Sequence, residues 1–219
     1  MNELEFLRQQ IATERGHMAA VRSACATALE QAGTPPDPEF LGHCADYLVF
    51  IVARFNEQDR THAGQIRPRL DVGDDAGRRA IDDLLGALEQ SRAAISRLAT
   101  AAADWRGGRA DDAALVAALR EYLAFYASVL ATRRHSLQPW FDAHYGIAEW
   151  RRAAGVDADS ILEERERYAR VADSLPEGLS LAPSQSSATA LRAAARSAAA
   201  PPTAAGPSWT SSPNPPSTP

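Results

Sequence analysis

The sequence predicts an all-α protein: an antiparallel four-helix bundle of two helical hairpins, two short extra helices and a disordered C-terminal tail. Three observations predict it. Apolar residues return at three- and four-residue steps from Leu4 to about Ser174, the period of a helix with one buried face. No stretch sustains two-residue alternation, and no Asn-Gly or Asp-Gly pair offers a hairpin turn. Prolines then divide the chain: none in the first 34 residues, a break at Pro35, Pro36 and Pro38, lone Pro68 and Pro139, Pro176, and eight of the 14 after residue 182. Proline lacks the backbone donor and stops or kinks helices, so these are the boundaries.

The first helix carries Leu4, Leu7, Ile11, Met18, Val21, Cys25 and Leu29 on one face. The second starts after Pro38 and uses Leu41, Cys44, Leu48, Ile51 and Phe55. The third runs from about Asp74 through Ile81, Leu84, Leu88, Ile95 and Leu98, and stops at Arg106-Gly107-Gly108. Asp111 or Asp112 caps the fourth, which buries Leu115, Leu119, Tyr122, Tyr126, Leu130 and Leu137. Two shorter helices follow, Ile147 to Ala154 ended by Gly155, and one capped by Asp157 that reaches about Ser174. Four long helices with short connections pack as an antiparallel bundle, giving a domain over residues 1–181. Residues 182–219 are Ala, Ser, Pro and Thr with few charges, too little apolar surface to offset ordering entropy, and are expected to be disordered.

With 45% hydrophobic and 23% charged residues, 219 residues suffice for one normal core. The net charge is −5 and the arginines alternate with acids on the same helices (Arg78, Arg79, Asp82, Asp83), which argues against nucleic acid as a partner. The acidic start, Asn2-Glu3-Leu4-Glu5, lacks the features of a signal peptide, and the apolar run near Tyr47–Ala53 is far short of a membrane span of roughly 20 residues. A cytoplasmic location without membrane association is expected. Cys25 and Cys44 fall on apolar faces and read as small buried hydrophobes.

Two segments repeat. Tyr47-Leu48-Val49-Phe50 resembles Tyr122-Leu123-Ala124-Phe125, and each is followed by an apolar-x-Pro-x-apolar ending, Ile66-Arg67-Pro68-Arg69-Leu70 and Leu137-Gln138-Pro139-Trp140-Phe141. Those endings, with Leu84–Arg92 in the third helix and Glu149-Trp150 after the fourth, carry a resemblance to the hemerythrin-like family, the cation-binding HHE domain, over about residues 5–155. The resemblance implies a bundle around two iron ions, with a His and an acid on the second and fourth helices and one further His on the first and third.

This chain departs from that ligand pattern. His17 matches the first-helix histidine. Alignment on Pro68 places Gln58 and His62 on the second-helix pair; Leu88 falls on the third-helix histidine, and alignment on Pro139 places Val129 and Arg133 on the fourth-helix pair. Leu and Val have no donor atom and a guanidinium repels a metal cation. Helical phase independently puts polar residues into the apolar stripes: Glu14 between Ile11 and Met18, Gln58 and His62 beyond Phe55, Arg133 between Leu130 and Leu137. The leading expectation is therefore a core polar cluster of Glu14, His17, Gln58, His62 and Arg133 at one bundle level, with Arg133 paired to Glu14 in place of a metal and no cofactor. The protein is then a binding or regulatory module for a small molecule or a protein partner. The alternative is a rearranged iron (di-iron) site of Glu14, His17, His62 and His144 that binds O2 or NO or oxidises a small molecule; Glu14-x-x-His17 has the spacing di-iron carboxylate bundles use. Glu163-Glu164 with Arg165 and Arg167 is expected to be an exposed helix face, and Tyr145 and Trp150 to dock the fifth helix alongside Trp140 and Phe141. No phosphate-loop, dinucleotide, zinc-protease or nucleophile-elbow motif occurs, and no catalytic residue is assigned.

Overall fold

The computed structural model describes residues 2–31, 37–131, 133, 145–155 and 157–181. The predicted tail 182–219, His135, His144, Trp140, Phe141 and the Pro139 ending lie outside the described residues. Those described are helices joined by short turns, with no strand. Helix α1 spans Glu3–Glu30, α2 Pro38–Ile66, α3 Asp75–Arg106, α4 Asp112–Phe125, α5 Ile147–Ala154 and α6 Ala158–Asp173.

Each helix start has its cause in side-chain chemistry. Asn2 and Glu5 form a reciprocal box at α1, Asp37 accepts from two backbone amides at α2, and Asp74, Asp111 and Asp157 cap α3, α4 and α6. Gly155 ends α5 at φ 53°, a left-handed conformation that favours glycine, and lets α6 turn back. The expected α3 boundaries and the α4 start hold, with Asp111 as the α4 cap; the expected run of the fourth helix to Leu137 extends outside the described residues.

Helices α1 to α4 form the bundle, with α2 against α3 and α3 against α4 as the closest neighbours. The core holds the predicted stripes: Val21, Cys25, Leu48, Ile51, Ile81, Leu84, Leu88, Leu98, Leu119 and Leu130 are all essentially inaccessible. Asn56 and Ser91 exchange hydrogen bonds of 2.9 and 3.2 Å between α2 and α3 inside it. Cys25 and Cys44 are buried and unbridged; burial and the neighbouring Cys25 push the Cys44 thiol up, away from the reactive thiolate. Helices α5 and α6 lie across the α1–α2 hairpin as a second layer. By length and composition the run Asp112–Leu130 is apolar enough to cross a membrane, a longer run than the one near Tyr47 singled out in the sequence; its Leu115, Leu119, Tyr122, Tyr126 and Leu130 are buried in the bundle.

One departure alters the site. Tyr126–Leu130 forms a π turn, with the Ala131 amide bonded to the Tyr126 carbonyl. A π turn inserts an extra residue and rotates the rest of the helix by roughly 100°, so counting seven from Tyr126 to Arg133 does not preserve the face.

Close packing of α2 on α3 depends on Gly42, where an added Cβ would lie 2.5 Å from the Trp105 ring. The ring is itself tethered by a 2.7 Å bond from its Nε1 to Asp112. Gly42→Ala is expected to destabilise the fold by about 1–3 kcal/mol through overpacking, opposite in sign to the roughly 1 kcal/mol that Ala contributes in an unhindered helix. Urea unfolding measures it; a gain in stability would mean that Trp105 gives way freely.

Candidate functional site

Glu14 is fully buried on α1. One carboxylate oxygen accepts from Gln10 Nε2 at 2.9 Å, and the other is paired with the guanidinium of Arg54 from α2. This corrects the expected Glu14–Arg133 pair. Arg133 Nη1 donates to the Val129 carbonyl at 2.8 Å, on the α4 side beyond the π turn. Arg54 also reaches the Ser160 carbonyl on α6 at 3.5 Å. Burial lowers the guanidinium's proton affinity, and the charges of Glu164 and Asp157 pull it back up.

Glu164 corrects a second expectation. Far from lying on an exposed face, it is 1% accessible. Its Oε1 accepts from the Tyr47 phenol at 2.8 Å and lies 2.9 Å from His17 Nδ1. The His17 ring stacks on Tyr168, centroids 3.9 Å apart and planes inclined by 13°. Burial and the Glu164 charge push both tyrosine phenols up, which keeps Tyr47 a neutral donor to Glu164. Glu164 Oε2 is equally buried and has no hydrogen-bond partner. The neighbouring Glu163 does behave as expected, pairing with Arg167 at 2.6 Å on the surface. The signal for Glu164 is present in the sequence: Ile161, Glu164, Tyr168 and Val171 are spaced three, four and three apart, so the glutamate stands in the apolar stripe of α6.

The remaining predicted residues sit in two other places. Gln58 accepts from Arg15 at 3.1 Å and donates to the Ala154 carbonyl at the end of α5 at 3.3 Å, while Arg15 also pairs with Asp59 at 3.0 Å. His62 is bonded through Nδ1 to the Tyr145 hydroxyl at 2.9 Å, with the Trp150 ring edge-on at 5.5 Å. Burial holds the His62 imidazole down at about 4, against the pull of Asp59, so it is neutral at pH 7. Tyr145 and Trp150 do dock α5, and Arg69 pairs with Glu149 at 2.7 Å across the same joint.

The five predicted polar residues therefore do not meet at one level of the four-helix core. Glu14 meets α6 through Arg54, His17 faces α6 directly, Gln58 faces the end of α5, and His62 faces the approach to α5. These four interrupt the bundle stripes because a further layer lies over α1 and α2, and they satisfy its polar groups. A groove of about 490 Å³ between the N-terminal ends of α2 and α4, lined by Asp37, Leu41, Asp112, Val116 and Arg120, is reached by none of them.

Of the four residues in the rearranged iron reading, the three that are described, Glu14, His17 and His62, do not come together as a ligand set. Among the described residues no three of His, Cys, Asp and Glu gather as a metal-ligand group. A guanidinium occupies the Glu14 carboxylate, and the Nδ1 atoms of His17 and His62 are engaged by different partners on different elements. The fourth candidate, His144, is outside the described residues. No family model, curated protein or solved structure matches the chain.

Proposed function

We propose that this chain is a binding or regulatory module with a hemerythrin-like bundle plan, in which an internal ion pair takes the place of the metal. The observation that carries the reading is the Arg54 guanidinium on the buried Glu14 carboxylate. A fixed cation at that carboxylate competes directly with a metal ion, because both need the same lone pairs. The paired proline endings and the Tyr-Leu-x-Phe repeat support the family plan, and the aromatic, hydrogen-bonded seating of α5 and α6 supports a rigid scaffold rather than an open catalytic cleft. Its ligand is a small molecule or a protein partner in the cytoplasm.

Elemental mass spectrometry on purified chain, before and after anaerobic loading with iron, manganese or zinc, tests this. Less than about 0.1 metal per chain is expected in folded protein. One or two irons retained through gel filtration and lost on His62→Ala would overturn it in favour of an iron protein that handles O2 or NO.

A further inference from the structure

We infer that Glu14 and Glu164, with the flanking rings of Phe50 and Phe55 and the Ser160 carbonyl, form a receptor for a planar guanidinium cation, which the chain fills with its own Arg54.

Two carboxylates from different helices, 0% and 1% accessible, are buried in this one neighbourhood of α1, α2 and α6. Burying a carboxylate is expensive unless a cation and hydrogen bonds replace its water. The guanidinium set against Glu14 is that of Arg54, whose side chain is 14% accessible. Its surroundings are those of a recognition pocket. The ring centroids of Phe50 and Phe55 lie 5.9 and 5.8 Å from its central carbon, at the outer edge of the range at which an aromatic ring attracts a cation, and the same two rings are shared with Arg167 and Arg15 at 4.9 and 4.7 Å. The Ser160 carbonyl accepts from Nη1. Glu164, 2.9 Å from His17 and 2.8 Å from Tyr47 through Oε1, leaves Oε2 buried and without a hydrogen-bond partner, and its charge raises the proton affinity of Arg54. Carboxylates, a carbonyl and aromatic faces select the flat, weakly hydrated fork of a guanidinium over the compact, strongly hydrated ammonium of lysine. These contacts define the receptor whether or not the bundle shares the hemerythrin plan.

Removing the Arg54 side chain should leave a pocket that accepts the cation from solution. In the full-length chain, Arg54→Ala is expected to lower the unfolding midpoint by about 10 °C. Methylguanidinium at about 20 mM, too dilute to denature appreciably, should then raise it saturably by about 4 °C once tenfold above its Kd. Sodium or tetramethylammonium at matched ionic strength should not, and wild type should not respond. Arg54→Lys, which keeps the charge without the fork, should stay well below wild type. An Arg54→Ala midpoint that methylguanidinium moves no more than the control salts, or a wild type that rises equally, overturns the receptor. So does full stability in Arg54→Lys. If Arg54→Ala is recovered unfolded, refolding from urea reads the same quantity: helical circular dichroism regained only with methylguanidinium upholds the receptor, and none regained at any concentration overturns it.

Discussion

Glu164→Ala is expected to destabilise the protein by about 3–5 kcal/mol, the range for removing one member of a buried charged network. The substitution strands the Tyr47 phenol and the His17 imidazole, each bonded to Glu164 at under 3 Å, and deprives Arg54 of the charge that offsets its burial. It also releases α6, because Glu164 is the polar residue that anchors that helix on both α1 and α2. Glu164→Gln should recover part of the loss, since an amide oxygen still accepts from the phenol. Glu163→Ala, one residue away and on the surface, should stay within about 0.5 kcal/mol of wild type. Urea unfolding of the three variants decides it; equal, small effects at both positions would return Glu164 to the solvent face.

The second large effect is a loss of stability in acid that traces to His62. Its ordinary value is 6.5, and burial lowers it to about 4 in the folded chain. Between those limits the unfolded chain takes up a proton that the folded chain refuses, so stability falls as pH falls through the window and is regained as pH rises. The change amounts to about 3 kcal/mol between pH 6.5 and pH 4. Other carboxylates titrate in the same range, so the diagnostic quantity is the difference between wild type and His62→Gln. Wild type should gain on the variant by that amount as pH climbs from 4 to 6.5. Parallel stability curves would show that His62 is not held neutral by its surroundings, and that the Tyr145 contact at 2.9 Å forms equally well with an imidazolium.

The two effects share a cause. Both residues lie where α5 and α6 cover the first hairpin, and both are polar groups removed from water by that cover. The outer layer is thus held through a few buried hydrogen bonds and charges as well as apolar area, and single substitutions there should cost more than substitutions on the exposed sides of α3.

The helices and most of their ends are legible in the chain itself. Helical period, proline positions and capping aspartates are local properties, and the α1, α3 and α6 starts rest on interactions within a few residues: Asn2 with Glu5, Asp74 with Gly77, Asp157 with Ser160. The presence of buried polar residues is also legible, because Glu14 breaks a stripe that neighbouring residues define. Their partners are not. Pairing is set by which faces meet in space, and four stripes drawn in isolation leave no room for a fifth and sixth helix packed on the outside. Arg133 reaches Glu14 only if the α4 phase is extended unbroken through Tyr126–Leu130, a π turn in which one extra residue rotates the face. Arg54 lies just off the α2 stripe, so the apolar pattern does not single it out, and that offset is what aims it at α6. Glu164 is surrounded by Glu, Arg and Glu, so local composition reads as solvated surface although its spacing to Ile161, Tyr168 and Val171 marks the buried side. Periodicity along one helix tells which residues turn inward; only the packing of α6 against α1 and α2 decides that Arg54 reaches Ser160 and that Tyr47 meets Glu164, since those contacts join segments more than a hundred residues apart in the chain.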